Sequence, residues 1–183
     1  MTNIYQRYYK EKCDKDGNVV SIETTYDENF NFAYDVIDRF ADECPDKQAM
    51  VHRSTDGVDT RFTFGDLKKL SNKAANALKS LGIKRGDPVM LLLKRRYEFW
   101  ISILAIHKLG AIAIPTSHMV SSEDIKERIN ISGAKAVICV NSEQICDKVE
   151  RAISGKDVIQ IVVGDRYKDA VSFDSIMDEA SAE

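Results

Sequence analysis

The sequence predicts an α/β fold, a mostly parallel sheet with helices on both faces, and three observations carry that expectation. Beyond residue 86, short unbroken apolar runs alternate repeatedly with segments whose apolar residues recur at helical spacing. The runs read as strands buried on both faces, which need helical cover on each side. Glycines (Gly82, Gly110, Gly133, Gly155) follow the helical segments where C-caps belong. A parallel strand pair needs a crossover, and crossovers are right-handed, so the alternation implies successive βαβ units.

Residues 1–28 are polar and carry no helical stripe, so they read as a loosely attached arm; Asp16-Gly17 and Asn18 to Ile22 suggest a turn and a short strand. Residues 29–183 read as one α/β domain. Ala33, Val36, Ile37, Phe40 and Ala41 are spaced as one amphipathic helix, with Asn31 as its N-cap and Cys44-Pro45 as its stop. Gln48 to His52 and Asp59 to Thr63 flank Ser54-Thr55-Asp56-Gly57, the composition of a hairpin turn. Thr63 with Asp66 forms a capping box, the aspartate replacing the usual glutamate, and Leu67, Leu70, Ala74, Leu78 and Leu81 then line one face.

Four further strands are expected at Pro88 to Leu93, Ala111 to Pro115, Ala136 to Val140 and Val158 to Val163. Between them lie an almost wholly apolar helix from Glu98 to Leu109, a Ser121/Ser122-capped helix to Ile131, and a helix from Ser142 to Ile153. A last helix is expected over Ser172 to Ala182. No internal repeat, Pro-rich linker or low-complexity tract interrupts the chain.

A chain of 183 residues, 44% hydrophobic and 30% charged, suits a single domain with a sizeable core. Its net charge of −3 comes from 26 basic and 29 acidic residues interspersed along the chain, which does not announce a nucleic-acid partner. Cys13, Cys44, Cys139 and Cys146 include no C-x-x-C pair, and His52, His107 and His118 are not clustered, so reduced thiols and no structural metal are expected. No apolar stretch approaches the ~18 residues of a membrane span, and the first residues lack a signal-peptide core. The expected compartment is the cytoplasm.

Architecture alone does not give a function. Three strings do more: FNFAYDVIDRFA near residue 30, RFTFGDLKKLSNKAANALKSLGIKRGD, and VMLLLKRRYEFWISILAIHKLGAIAIPTSHMVSSEDIKERINISGAKAVIC. In order and spacing they resemble the opening region of medium-chain acyl-CoA synthetases in the AMP-forming, adenylate-forming ligase superfamily. The likeness is close over about residues 29–142 and looser beyond. It implies an enzyme that activates a short- or medium-chain fatty acid with ATP and Mg2+ to an acyl-adenylate, which CoA then converts to its thioester. The Ser/Thr/Gly-rich loop ending in Pro-Lys that holds pyrophosphate in such enzymes is not in these 183 residues. The resemblance therefore implies an N-terminal portion, inactive alone, whose partner is the remainder of a synthetase, with self-association through the uncovered face. The rival reading is a stand-alone, non-catalytic α/β binding module.

The resemblance also nominates Ser117, His118 and Met119, in the loop after a buried strand, as neighbours of the channel taken by CoA's pantetheine arm. No catalytic residue and no metal ligand is nominated. Lys94-Arg95-Arg96 ends a strand where open α/β sheets place ligands, and reads either as a solvated loop or as a contact for a CoA phosphate. Tyr97, Phe99 and Trp100 read as core packing rather than as an acyl pocket. Gly82, Gly86 and Gly110 form no G-x-G-x-x-G and read as caps and a turn. His107 reads as structural, Cys139 as an inert buried thiol, and Cys146 as unreactive.

Overall fold

The computed structural model describes residues 7–26 and 28–183, so the first positions of the arm and Asp27 lie outside the described residues. The elements run β1 (Tyr9–Cys13), β2 (Val19–Thr24), a π-helical segment (Ala33–Asp38) continuing into α1 (Arg39–Glu43), β3 (Gln48–Arg53), β4 (Asp59–Thr63) and α2 (Phe64–Ser80). There follow β5 (Pro88–Leu92), α3 (Tyr97–Leu109), β6 (Ile112–Pro115), α4 (Ser122–Ser132), β7 (Ala136–Val140), α5 (Glu143–Ile153), β8 (Ile159–Val163), β9 (Val171–Ser172) and α6 (Phe173–Glu179).

The sheet has five strands in the order β6-β5-β7-β8-β9, and every neighbouring pair is parallel. Successive side chains leave a strand on opposite faces. Accordingly Val89, Leu91, Ile138 and Ile161 pack with Leu78, Ile101, Ile106 and Phe173 of α2, α3 and α6. Met90, Leu92, Val137, Cys139 and Val162 pack with Ile125, Ile129, Ile145 and Val149 of α4 and α5. Each fully buried Leu, Ile or Val contributes about 1.5–3 kcal/mol, and two such layers on one sheet supply most of the driving force.

Local chemistry sets the element ends. Thr63 and Asp66 form a reciprocal capping box at α2, and Ser121 and Asp124 form another at α4. Gly110 closes α3 with φ 66°, and its carbonyl accepts the Gly86 N–H at 2.9 Å. A Cβ there would sit 3.2 Å from Arg85 Cγ, so a side chain would meet both backbone strain and crowding.

The structure departs from the sequence expectations in four places. The Ala33–Ala41 stretch is not one regular helix: it starts in π conformation, and i→i+5 bonding brings Ala33 and Asp38 to the same buried side. Asp38 is drawn inward by Lys108 of α3, whose fully buried ammonium lies 2.8 Å from Asp38 Oδ1 and 2.6 Å from Asn72 Oδ1. The arm holds a complete antiparallel hairpin, β1–β2, tied down by the Tyr8 hydroxyl donating to the Asp35 carbonyl at 3.0 Å. Its first strand, Tyr-Lys-Glu-Lys-Cys, has too little apolar alternation to show in the sequence. The last helix ends at Glu179, and the two-residue β9 precedes it.

Candidate functional site

The strand order makes β5 a switch point: α3 carries the chain from β5 to β6 on one side, and α4 returns it past β5 to β7 on the other. Loops leaving the carboxyl ends of β5 and β7 diverge there and open a crevice, the place where open α/β sheets bind ligands. A cleft of about 1220 Å³ occupies this position. Leu91, Leu93 and Val140 line it from the strands, Lys94 to Tyr97 from the β5–α3 connection, Pro115 to His118 from the loop after β6, and His52 to Asp56 from the β3–β4 hairpin.

Aromatic contacts hold the hairpin in place. The Tyr97 ring lies 5.0 Å from Phe62 of β4 and 5.4 Å, edge-on, from His52 of β3. Phe99 is half-buried and lines the cleft. Trp100, expected in the core, is 54% exposed. One turn on, Leu104 is covered by Ala33, Phe62 and Leu67, and Trp100 lies beyond that cover.

The cleft's charge is one-sided. Arg53, Lys94, Arg95 and Arg96 line it against a single acid, Asp56, on a chain whose net charge is −3. Two of the cations are committed. Arg96 grips the buried Glu98 carboxylate with a bidentate pair at 2.6 and 3.1 Å, and that hydrogen bond raises the guanidinium's pKa. Arg53 meets Asp59 at 3.2 Å on the surface. Lys94 and Arg95 are exposed and make no hydrogen bond or ion pair among the described residues. Lys94 also holds a left-handed backbone, φ 52°, which costs a non-glycine residue roughly 1–2 kcal/mol. The Ser54 hydroxyl donates to Asp56 and holds its carboxyl below the usual range.

Of the three nominated loop residues, Ser117 and His118 line the cleft; Met119 is 81% exposed and does not. The Ser117 hydroxyl is occupied locally, accepting the Met119 N–H at 3.2 Å. The N-terminus of α4 is supplied with an anion from within, since the Asp124 carboxylate accepts both the Ser121 N–H and hydroxyl. His107 is half-buried in α3, away from the cleft. Cys139 and Cys146 are fully buried; the Cys146 thiol donates to the Val140 carbonyl at 3.6 Å, and the Cys139 thiol is pushed up by its hydrogen bond with Cys146 and by burial. The hairpin residues His52 and Arg53 were not visible as site residues, because only the tertiary fold brings them over the sheet. The assembly is a binding surface with an apolar floor and a cationic rim.

A parallel sheet with a cleft at its switch point defines a ligand-binding α/β domain. The AMP-binding enzyme family model matches residues 37–181, and the chain belongs to that family. It is 31% identical over 164 residues to the acyl-coenzyme A synthetase ACSM4, mitochondrial, of Rattus norvegicus, covering 85% of this chain and 28% of the relative. It is 36% identical over 129 residues to acetyl-coenzyme A synthetase 2 of Candida glabrata, covering 70% and 18%. Among solved structures, the Brucella canis acyl-CoA synthetase superposes with TM-score 0.76 at 28% identity, over 86% of this chain and 29% of that one. A benzoate CoA ligase from Burkholderia xenovorans LB400 shares the fold, with TM-score 0.69 at 20% identity over 83% of this chain and 29% of that one. The chain thus spans less than a third of the length of these relatives.

Proposed function

We propose that this chain is the N-terminal part of an AMP-forming acyl-CoA synthetase, which activates a short- or medium-chain fatty acid through an acyl-adenylate to its CoA thioester. The observation that carries the reading is the family match across residues 37–181, shared with relatives named as acyl- and acetyl-coenzyme A synthetases. The cleft at the switch point supports it, because its cationic rim suits an anionic ligand and its Leu91, Leu93 and Phe99 walls exclude water from an apolar one.

Within that reading the chain contributes one wall of the binding region. Ser117 and His118 border the path of CoA, and Lys94 and Arg95 raise its local concentration by attraction. ATP and its Mg2+ supply activation of the carboxylate; the described residues include no group of three or more His, Cys, Asp or Glu suited to a metal, so no step is assigned here to either. The rest of the synthetase is the partner that completes the site. The proposed compartment is the cytoplasm, although several relatives are named mitochondrial; fractionation with a tagged chain distinguishes the two.

The test is enzymatic. The purified 183-residue chain, given ATP, Mg2+, CoA and a panel of fatty acids, should release no pyrophosphate above blank. The complete synthetase reading frame containing it should release pyrophosphate with acid and form a thioester when CoA is added. Turnover by the chain alone, or none by the complete frame with any acid, would overturn the proposal.

A further inference from the structure

We propose that the ridge formed by Lys94, Arg95 and Trp100 is a subsite for the phosphorylated adenosine end of CoA, with the phosphates on the two cations and the adenine against the indole. This rests on the reading above and goes further, by saying which end of the thiol substrate these residues take. Three observations carry it.

The first is continuity. A second groove, lined by Met50, Val51, Arg53, Lys94, Arg95 and Trp100 among others, shares its cationic wall with the switch-point cleft. A ligand lying across that wall reaches both sides: its nucleotide on the Trp100 side, and a slender arm running down the cleft toward Ser117 and His118.

The second is the state of the cations. Eight ion pairs join the described residues, and Arg53 and Arg96 of this same wall take part, yet Lys94 and Arg95 do not. Two adjacent cations without an internal anion, one of them on a strained backbone, are what a phosphate site needs and what a merely soluble surface does not.

The third is the indole. Trp100 is the chain's single tryptophan and stands 54% exposed, held perpendicular to Phe99 at 5.3 Å. A fixed, exposed aromatic face beside two cations is the combination that recognises a base and its phosphates together.

Because Trp100 is the only tryptophan, its fluorescence reports occupancy of the subsite directly. Adenosine 3′,5′-bisphosphate added to the purified chain should quench it saturably, and more weakly as salt rises. Adenosine should not quench at matched concentration. Inorganic phosphate should compete without quenching. The double variant Lys94→Ala/Arg95→Ala should weaken binding by about tenfold or more, with an unchanged circular dichroism spectrum because both residues are exposed. Trp100→Ala, followed by calorimetry, should weaken it by about fivefold or more. Full-strength binding to the double variant would overturn the phosphate contacts, and full-strength binding to Trp100→Ala would overturn the stack. ATP binding as tightly as the 3′,5′-bisphosphate would overturn the assignment to CoA. No binding to the chain, with thioester formation by the complete synthetase unaffected by Lys94→Ala/Arg95→Ala, would sink the subsite and leave the synthetase reading standing.

Discussion

Lys94 sits in a conformation that glycine adopts freely, at a strand end where nothing in the packing demands a lysine. Replacing it by glycine removes the strain, and Lys94→Gly should raise the unfolding free energy by about 1 kcal/mol, read from urea denaturation. A gain in stability at this position is the mark of a residue kept for contact with something outside the chain. The loop after β6 separates two neighbours in the same way. In the complete synthetase, His118→Ala should raise the KM for CoA several-fold with adenylate formation nearly unchanged, whereas Met119→Ala should change neither, because Met119 turns away from the cleft. The sequence pointed to the loop correctly as a strand-to-helix connection at the sheet's carboxyl edge. It gave no means of telling His118 from Met119, since loop side chains follow no period.

The helices and buried strands were legible for the opposite reason. A strand covered on both faces must be apolar throughout, and a capped helix carries its own punctuation, so β5, β7, α2 and α4 were readable from periodicity and from Thr63, Asp66, Ser121 and Asp124. What escaped was the polar link between elements. Lys108, in a helix that reads as apolar, has its ammonium pushed down by burial, an effect opposed by its hydrogen bond to Asp38. Asp38→Ala leaves that cation buried beside Asn72 and Tyr34 alone, and should cost about 3 kcal/mol by denaturant unfolding. Lys108→Met should cost less, because it removes the charge that needs a partner. The α4 cap adds a pH signature. Asp124 titrates below its ordinary 3.8, chiefly because the Ser121 hydroxyl bonds its carboxylate. The folded pKa is depressed, so the cap's contribution is whole above about 3.8 and is lost as pH falls through the lower folded value. Amide exchange at the start of α4 should accelerate on acidification in that window, beyond the change at α5, whose Ser142 makes no such cap bond.

One flank of the sheet ends in β6, which pairs only with β5 and exposes 52% of Ile112. A strand with a free edge and an apolar side chain invites a second chain. Light scattering should therefore show concentration-dependent association, and Ile112→Lys should shift the chain toward monomer; a strict monomer at high concentration before the change would contradict this. The sheet's topology was legible only as far as its parallel sense. Alternating strands and helices establish crossovers, but the order β6-β5-β7 depends on which side each crossover takes, and the cationic cleft exists only because the direction reverses at β5.

That reversal also orders events in time. The β5–β6 and β7–β8 pairs each join strands consecutive in the chain, while the β5–β7 pair closes a much longer segment containing α3, β6 and α4. Closing the longer loop costs more chain entropy and belongs late in folding. The crevice straddles that seam, so it is absent from every partly assembled intermediate, and a nascent chain acquires its cationic pocket only when the two halves of the sheet have met.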